Sequence, residues 1–136
     1  ESNIQIHFKP NDDIPKLIAD PRLVRQILIN LLTNAVKYTN KNGEIFVRLR
    51  VNTSEELVVE IEDRGIGIPA DKIGDVMEPF GQIHEPTKSS IYQGTGLGLP
   101  LAKAMVELHG GTFKLQSVEG EGTKVMVTFP KYRVIS

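Results

Sequence analysis

The chain contains no cysteine, which excludes a disulfide framework, thiol chemistry and a cysteine-ligated metal. A reducing cytoplasm suits such a chain. It also lacks a basic excess: 16 Lys and Arg stand against 17 Asp and Glu, for a net charge of −1. Its cations are scattered rather than gathered in a stripe, so the electrostatic footprint of a nucleic-acid partner is missing. No apolar run approaches the roughly 20 residues of a membrane span. Glu1 to Pro10 is too polar to hold the apolar segment of a signal peptide. A cytoplasmic domain without direct membrane contact is therefore expected. No internal repeat, low-complexity segment or linker interrupts the 136 residues, which fit one domain spanning 1–136. About 40% of the residues are apolar, enough for one sizeable core and not for two. The chain opens on a strand-like run without an initiator Met, as a domain cut from a longer protein would.

What is present is a series of apolar patterns whose period changes along the chain. Ile4 to Phe8 alternates apolar and polar, as a half-buried strand does. Pro10 to Asp13 reads as a turn, and Leu17-Ile18-Ala19 as a short strand. Asp20 followed by Pro21 offers an N-cap acceptor and then Pro at the first helical position. Val24, Ile27, Leu28, Leu31, Leu32 and Ala35 recur at helical spacing, as far as Tyr38. Ile45, Val47, Leu49 and Val51 alternate as a strand. Leu57, Val59 and Ile61 follow as its antiparallel partner. A short helix is expected over Ala70 to Met77. Residues 80–95 have no period and read as a long loop, of the kind that is commonly a functional lid or disordered. A second long helix begins near Gly96 or Gly98, with Leu101, Ala104, Met105 and Leu108 as its apolar face. His109 in its last turn suits the helix dipole, and Gly110-Gly111 caps its end. Thr112 to Val118 and Thr123 to Phe129 close the chain as a hairpin. These elements predict an α/β two-layer sandwich: one mixed, mostly antiparallel sheet covered on one face by helices.

Three segments carry candidate chemistry. Asn30, Asn34, Lys37 and Tyr38 fall on one face of the first helix. An Asn oxygen is a hard, neutral ligand suited to Mg²⁺, a Lys can place its charge on a phosphate, and a Tyr can stack on a base. Taken alone the same residues also read as a solvated helix face, although two Asn in a helix interior carry a propensity cost. Asp63 lies on the same strand face as Leu57, Val59 and Ile61, which puts a carboxylate inward at the strand end. Such a group needs donors. The exocyclic amine of adenine is one, and Gly65 and Gly67 would let backbone approach a flat base; a local Asx-type turn is the other reading. Glu60 and Glu62 fall on the opposite face and are expected to be solvated. Gly94-Thr95-Gly96-Leu97-Gly98-Leu99 is the phosphate candidate, because glycines free backbone N–H groups to converge on an anion ahead of a helix N-terminus. It is neither a Walker loop nor the dinucleotide fingerprint, and a flexible hinge is the alternative. His7 reads as a surface or edge residue and His84 as a lid residue. No Ser-His-Asp order, metal-ligand spacing or Asp-Phe-Gly kinase pattern appears.

The order of four segments is more telling than any one. Asn30 to Thr39, then Asp63-Arg64-Gly65-Ile66-Gly67, then Glu78-Pro79-Phe80, then Gly94 to Leu99 resembles the N, G1, F and G2 boxes of sensor histidine kinases. Gly120-Glu121-Gly122-Thr123 is similar to that family too, and the match covers nearly the whole chain. The resemblance implies the Bergerat ATP-binding fold of the superfamily shared with gyrase, Hsp90 and MutL, with ATP and Mg²⁺ as cofactors. By position, it makes Asn34 the Mg²⁺ ligand with Asn30 assisting, Lys37 a phosphate contact and Tyr38 an adenine-side contact. These three polar residues, Asn30, Asn34 and Lys37, would be the catalytic ones. Asp63 would accept from the adenine amine, with Gly65 and Gly67 shaping that wall. Phe80 would belong to the lid, Lys88 would reach the γ-phosphate, and Gly94, Thr95, Gly96, Leu97 and Gly98 would hold the triphosphate. Thr123 would join the adenine site through a water.

ATP-hydrolysing relatives carry a Glu general base where this helix has Asn30. An amide takes no proton from water, so ATP binding with slow hydrolysis is expected. The family's phosphoacceptor histidine sits in a helical hairpin before an acidic residue, and His7, His84 and His109 lack that setting. The resemblance therefore implies an isolated catalytic and ATP-binding domain, monomeric, acting on a separate dimerisation hairpin and reaching a response regulator through the full-length protein. Whether the parent is anchored in a membrane stays open. A serine kinase of the anti-sigma type and a pseudokinase docking module of the same fold are the alternatives.

Overall fold

Asp20 begins the first helix as its sequence requires. It sits in extended backbone and its carboxylate accepts the Arg22 N–H at 2.9 Å, while Pro21 fills the next position. The hydrogen bonds from Arg22 hold the Asp20 carboxyl below its usual range. At the other end the Thr39 hydroxyl donates to the Ala35 carbonyl at 2.6 Å.

The computed structural model describes residues 4–8, 15–39, 43–77 and 98–135. In chain order its elements are β1 (Gln5–Phe8), β2 (Lys16–Leu17), α1 (Pro21–Tyr38), β3 (Glu44–Val51), β4 (Leu57–Asp63), α2 (Ile73–Met77), α3 (Gly98–Leu108), β5 (Thr112–Val118), β6 (Gly122–Phe129) and β7 (Val134–Ile135). Single 3₁₀ turns, Ala70–Lys72 and Lys131–Arg133, precede α2 and β7. The main sheet has five strands in the order β1-β3-β4-β6-β5. Its pairs are antiparallel except β1 with β3, which is parallel. No described helix is long and apolar enough to cross a membrane.

Register builds the core. Ile45, Val47 and Leu49 of β3 stand opposite Asp63, Ile61 and Val59 of β4. Those β4 residues stand opposite Thr123, Val125 and Val127 of β6, with Phe113, Leu115 and Ser117 beyond on β5. The side chains of this face meet Ile27, Leu31 and Ala35 of α1 and Leu99, Ala102, Met105 and Val106 of α3 in one cluster. Ile27 and Val127 are fully buried, and truncating either to Ala would cost about 2–5 kcal/mol.

Four expectations change. The apolar face of α3 is turned: Leu99, Ala102, Met105 and Val106 point inward, while Leu101 is 45% and Leu108 73% exposed. Two apolar sets interleave on that helix, so periodicity alone cannot choose between them. Strand β1 is exposed along its length rather than half-buried, because it is the edge strand. Glu60 is 7% exposed and not solvated: Arg48 and Arg50 reach it at 2.7 Å and 3.2 Å, and Arg48 also bonds Glu62 at 2.8 Å. A second sheet pairs β2 with β7, two residues each, too short to show a period in the sequence. His7 lies on the edge strand as expected, 3.2 Å from Glu44 and stacked on Phe46.

Candidate functional site

The inner face of the sheet turns polar at one end. Down β4, Leu57, Val59 and Ile61 give way to Asp63, which is 3% exposed. Its neighbour on β6 is Thr123, equally buried, whose own neighbour on β5 is Ser117. Asp63 Oδ1 accepts the Gly65 N–H at 2.9 Å. Burial pushes the Asp63 carboxyl up; the backbone N–H groups of Gly65 and Thr123 counter it, and the Glu62 charge adds to it. Among the described residues Asp63 forms no ion pair.

Ser117 is the residue that sequence reasoning missed. Its hydroxyl accepts the Ile68 N–H at 2.7 Å, donates to the Gly122 carbonyl at 3.1 Å and lies 2.8 Å from Thr123 Oγ1. With its one proton used on Gly122, the Ser117 oxygen must accept from Thr123. The alternation Phe113, Leu115, Ser117 held the signal: an inward polar residue level with Thr123.

The turn after β4 is clamped from both sides. Ile66 N–H donates to the Tyr38 carbonyl at 3.0 Å, and Gly120 N–H donates to the Ile66 carbonyl at 2.7 Å. A Cβ on Gly65 would collide with the Tyr38 carbonyl. Gly67 has φ +71°, and a Cβ there would collide with the Val118 carbonyl. Both glycines are thus demanded by the chain itself, whatever else approaches them.

Helix α1 contributes the other groups. Asn34 is 7% exposed, and its amide has no hydrogen-bond partner among the described residues. No buried side-chain polar atom lacks a partner among the described residues, so the Asn34 amide keeps its oxygen and N–H groups accessible to water or to an outside ligand. Lys37 is half-buried, its Nζ 5.1 Å from the Tyr38 ring centroid. Burial lowers the Lys37 ammonium from 10.5 to about 8 and raises the Tyr38 phenol. Asn30 is engaged within the protein: Oδ1 accepts from Gln26 Nε2 at 2.7 Å and Nδ2 donates to the Gly98 carbonyl at 3.2 Å. It therefore ties α1 to the start of α3. A Cβ on Gly98 would meet nothing within 4 Å, so packing of the described residues does not require glycine there.

The fold thus brings Asp63 to Thr123, Tyr38 to the Gly65 turn and Asn30 to Gly98. Phe80, Lys88, Gly94, Thr95, Gly96 and Leu97, with His84, lie outside the described residues. No group of three or more His, Cys, Asp or Glu is placed to hold a metal among the described residues. A divalent ion would have to lean on Asn34 and on oxygens brought by a ligand or water, a donor set that fits Mg²⁺.

A family model described as histidine kinase-, DNA gyrase B- and HSP90-like ATPase matches residues 19–133. The cell-division control histidine kinase PdhS of Brucella canis is 36% identical over 140 residues, covering 98% of this chain and 13% of the relative. The protein of the same name from Brucella abortus gives the same figures, 36% over 140 residues. The chain therefore spans only 13% of the length of these curated relatives. Among solved structures, full-length ShkA in complex with AMPPNP superposes with a TM-score of 0.80 at 25% identity, over 98% of this chain and 26% of that one. The nucleotide-free catalytic domain of histidine kinase ThkA gives 0.73 at 28% identity, over 94% of this chain and 78% of that one. The chain belongs to the histidine kinase-, DNA gyrase B- and HSP90-like ATPase family, and the PdhS and ThkA proteins it resembles are histidine kinases.

Proposed function

We propose that this domain binds Mg-ATP and donates the γ-phosphoryl group to a histidine on a separate dimerisation hairpin of a two-component sensor kinase. The observation that carries the reading is Asp63: a carboxylate 3% exposed at a strand end, given backbone donors and no cation among the described residues. An adenine amine would complete its hydrogen bonding. Asn34 would hold Mg²⁺, which supplies charge neutralisation to the phosphates when bound. Lys37 would place its ammonium on the triphosphate, and Tyr38 would border the adenine. Thr123, already bonded to Ser117, would meet the base through a water. The glycine loop ending at Gly98 would wrap the phosphates with Lys88, under a lid bearing Phe80.

Catalysis in this arrangement is positioning and charge neutralisation, since phosphoryl transfer asks for little covalent help. Asn30 offers no base, and its amide is committed to Gln26 and Gly98. Water is then poorly activated, which spares the phosphoryl group for a histidine. The hairpin, and through it a response regulator, would come from the rest of the parent protein.

The test is calorimetric titration of Mg-ADP and of a non-hydrolysable Mg-ATP analogue, followed by transfer from labelled ATP to the parent's hairpin supplied in trans. Saturable binding is expected, with Asn34→Ala abolishing its Mg²⁺ dependence, and label appearing on the hairpin histidine. Failure of the wild-type domain to bind either nucleotide at millimolar concentration would sink the reading.

A further inference from the structure

The end of α3 remote from Gly98 is held by a cluster that the proposed chemistry does not use. His109 follows the last turn of α3 and is 5% exposed. Its Nδ1 donates to the Met105 carbonyl at 2.8 Å, and its Nε2 accepts the Asp20 N–H at 3.3 Å. A ring nitrogen facing an N–H donor must be the unprotonated one, which makes this the neutral Nδ1–H tautomer. His109 thereby acts as a strut between the end of α3 and the cap of α1. The His109 carbonyl accepts Arg133 Nε at 2.7 Å, and Arg133 Nη1 donates to the Ile18 carbonyl at 2.9 Å. Ile18 N–H returns a bond to the Arg133 carbonyl at 2.7 Å. One imidazole and one guanidinium thus join the lead into α1, the end of α3 and the lead into β7.

Among the described residues this cluster supplies one of two hydrogen-bonded ties between the ends of α1 and α3. Asp20 meets His109 at one end, and Asn30 meets Gly98 at the other. The helices therefore run antiparallel, and at about 1.5 Å per residue the 11 residues of α3 separate the ties by roughly 16 Å. The two helices carry different walls of the proposed site: Asn34 and Lys37 on α1, and the end of the glycine loop on α3. A shift of α3 along α1 at the remote tie would change the distance between those walls.

We infer that His109 and Arg133 are positioning residues for the nucleotide site: they fix the end of α3 against the start of α1 and so hold Gly98 in register with Asn30. The inference rests on the nucleotide-binding reading above. The planar guanidinium is needed because two carbonyls on separate segments accept from one rigid fork, which a Lys ammonium cannot reproduce.

The experiment compares the whole domain with Arg133→Lys, His109→Ala and His109→Gln, each confirmed folded by circular dichroism. Arg133→Lys and His109→Ala should shift the amide signal of Gly98 and the side-chain amide signals of Asn30 in ¹⁵N–¹H spectra. They should also weaken Mg-ADP binding by about five-fold. His109→Gln keeps a donor and an acceptor on one side chain and should restore wild-type affinity. Folded Arg133→Lys and His109→Ala proteins with wild-type affinity and unmoved Gly98 and Asn30 signals would overturn the inference, however much melting temperature they lose. If the wild-type domain binds no nucleotide, the functional reading fails, and the Gly98 and Asn30 signals still decide whether the tie positions α3.

Discussion

Strand β4 buries two carboxylates on opposite faces and provides for them in opposite ways. Glu60, on the outer face, sits between the guanidinium groups of Arg48 and Arg50 at 2.7 Å and 3.2 Å. Asp63, on the inner face, receives backbone N–H groups and forms no ion pair among the described residues. A buried carboxylate costs several kcal/mol unless charge and hydrogen bonds offset it. At Glu60 the offset comes from the protein's own side chains. At Asp63 it is incomplete, and burial pushes the carboxyl up. The first arrangement is what a structural carboxylate needs, and the second is what a carboxylate reserved for an outside donor would have.

Asp63→Asn should produce the largest effect. The variant keeps an oxygen for the Gly65 N–H but offers a neutral acceptor, and an amine donor, to the adenine edge. Nucleotide affinity should fall by about 100-fold, the scale of a lost hydrogen bond to a charged group. Stability should behave differently. The folded carboxyl titrates above its ordinary value of 3.8, so the penalty on its charged form is absent at low pH. That penalty appears as pH rises through the window just above 3.8. Urea unfolding across that window should therefore show the Asn variant gaining on the wild type as pH rises. An Asn variant that binds nucleotide as tightly as the wild type would erase the distinction between the two faces.

Glu60→Gln should do the reverse. It leaves Arg48 and Arg50 without the anion between them, and both are about half exposed. That exposure limits the loss to about 1–2 kcal/mol in urea unfolding. Nucleotide affinity should stay within about two-fold, since Glu60 faces away from the site. Equal damage to binding from Glu60→Gln and Asp63→Asn would mean that the carboxylates are coupled through the strand rather than divided between faces.

Much of this contrast is legible in the sequence. Alternation along β4 placed Asp63 inward and Glu60 outward, and Asp20-Pro21 marked the start of α1. What alternation could not show was register. Arg48 stands opposite Glu60 only because β3 pairs with β4 at that offset, and no local pattern fixes the offset. Ser117 was hidden for the same reason, because its value depends on lying across from Thr123. The glycines of the β4 turn read as room for a base. The chain itself needs that room, for the Tyr38 and Val118 carbonyls. The tie at His109 joins residues 89 and 24 positions apart, a separation that no periodicity reports.

The finest discrimination comes from Lys37. On the outer face, charges reinforce one another: the Glu62 and Glu60 carboxylates hold the Arg48 guanidinium further up. Beside the proposed site the opposite holds, and burial lowers the Lys37 ammonium from 10.5 to about 8. Because the folded value lies below the unfolded one, the penalty is fully present below about 8 and is relieved as pH rises toward 10.5. A triphosphate placed against this ammonium would favour the charged form and raise its pKa again. Binding of the Mg-ATP analogue at a pH of about 8 should therefore take up part of a proton. The binding enthalpy should then differ between phosphate and Tris buffers, whose heats of ionisation differ. The difference should vanish at about pH 6, where the ammonium is charged before and after binding, and also in Lys37→Met. Identical enthalpies in the two buffers at the higher pH would show that no phosphate reaches Lys37. If the buffers do differ, Asp63 and Lys37 form a matched pair: an anion and a cation, each disfavoured by its own burial, and each relieved by a different end of the same ligand.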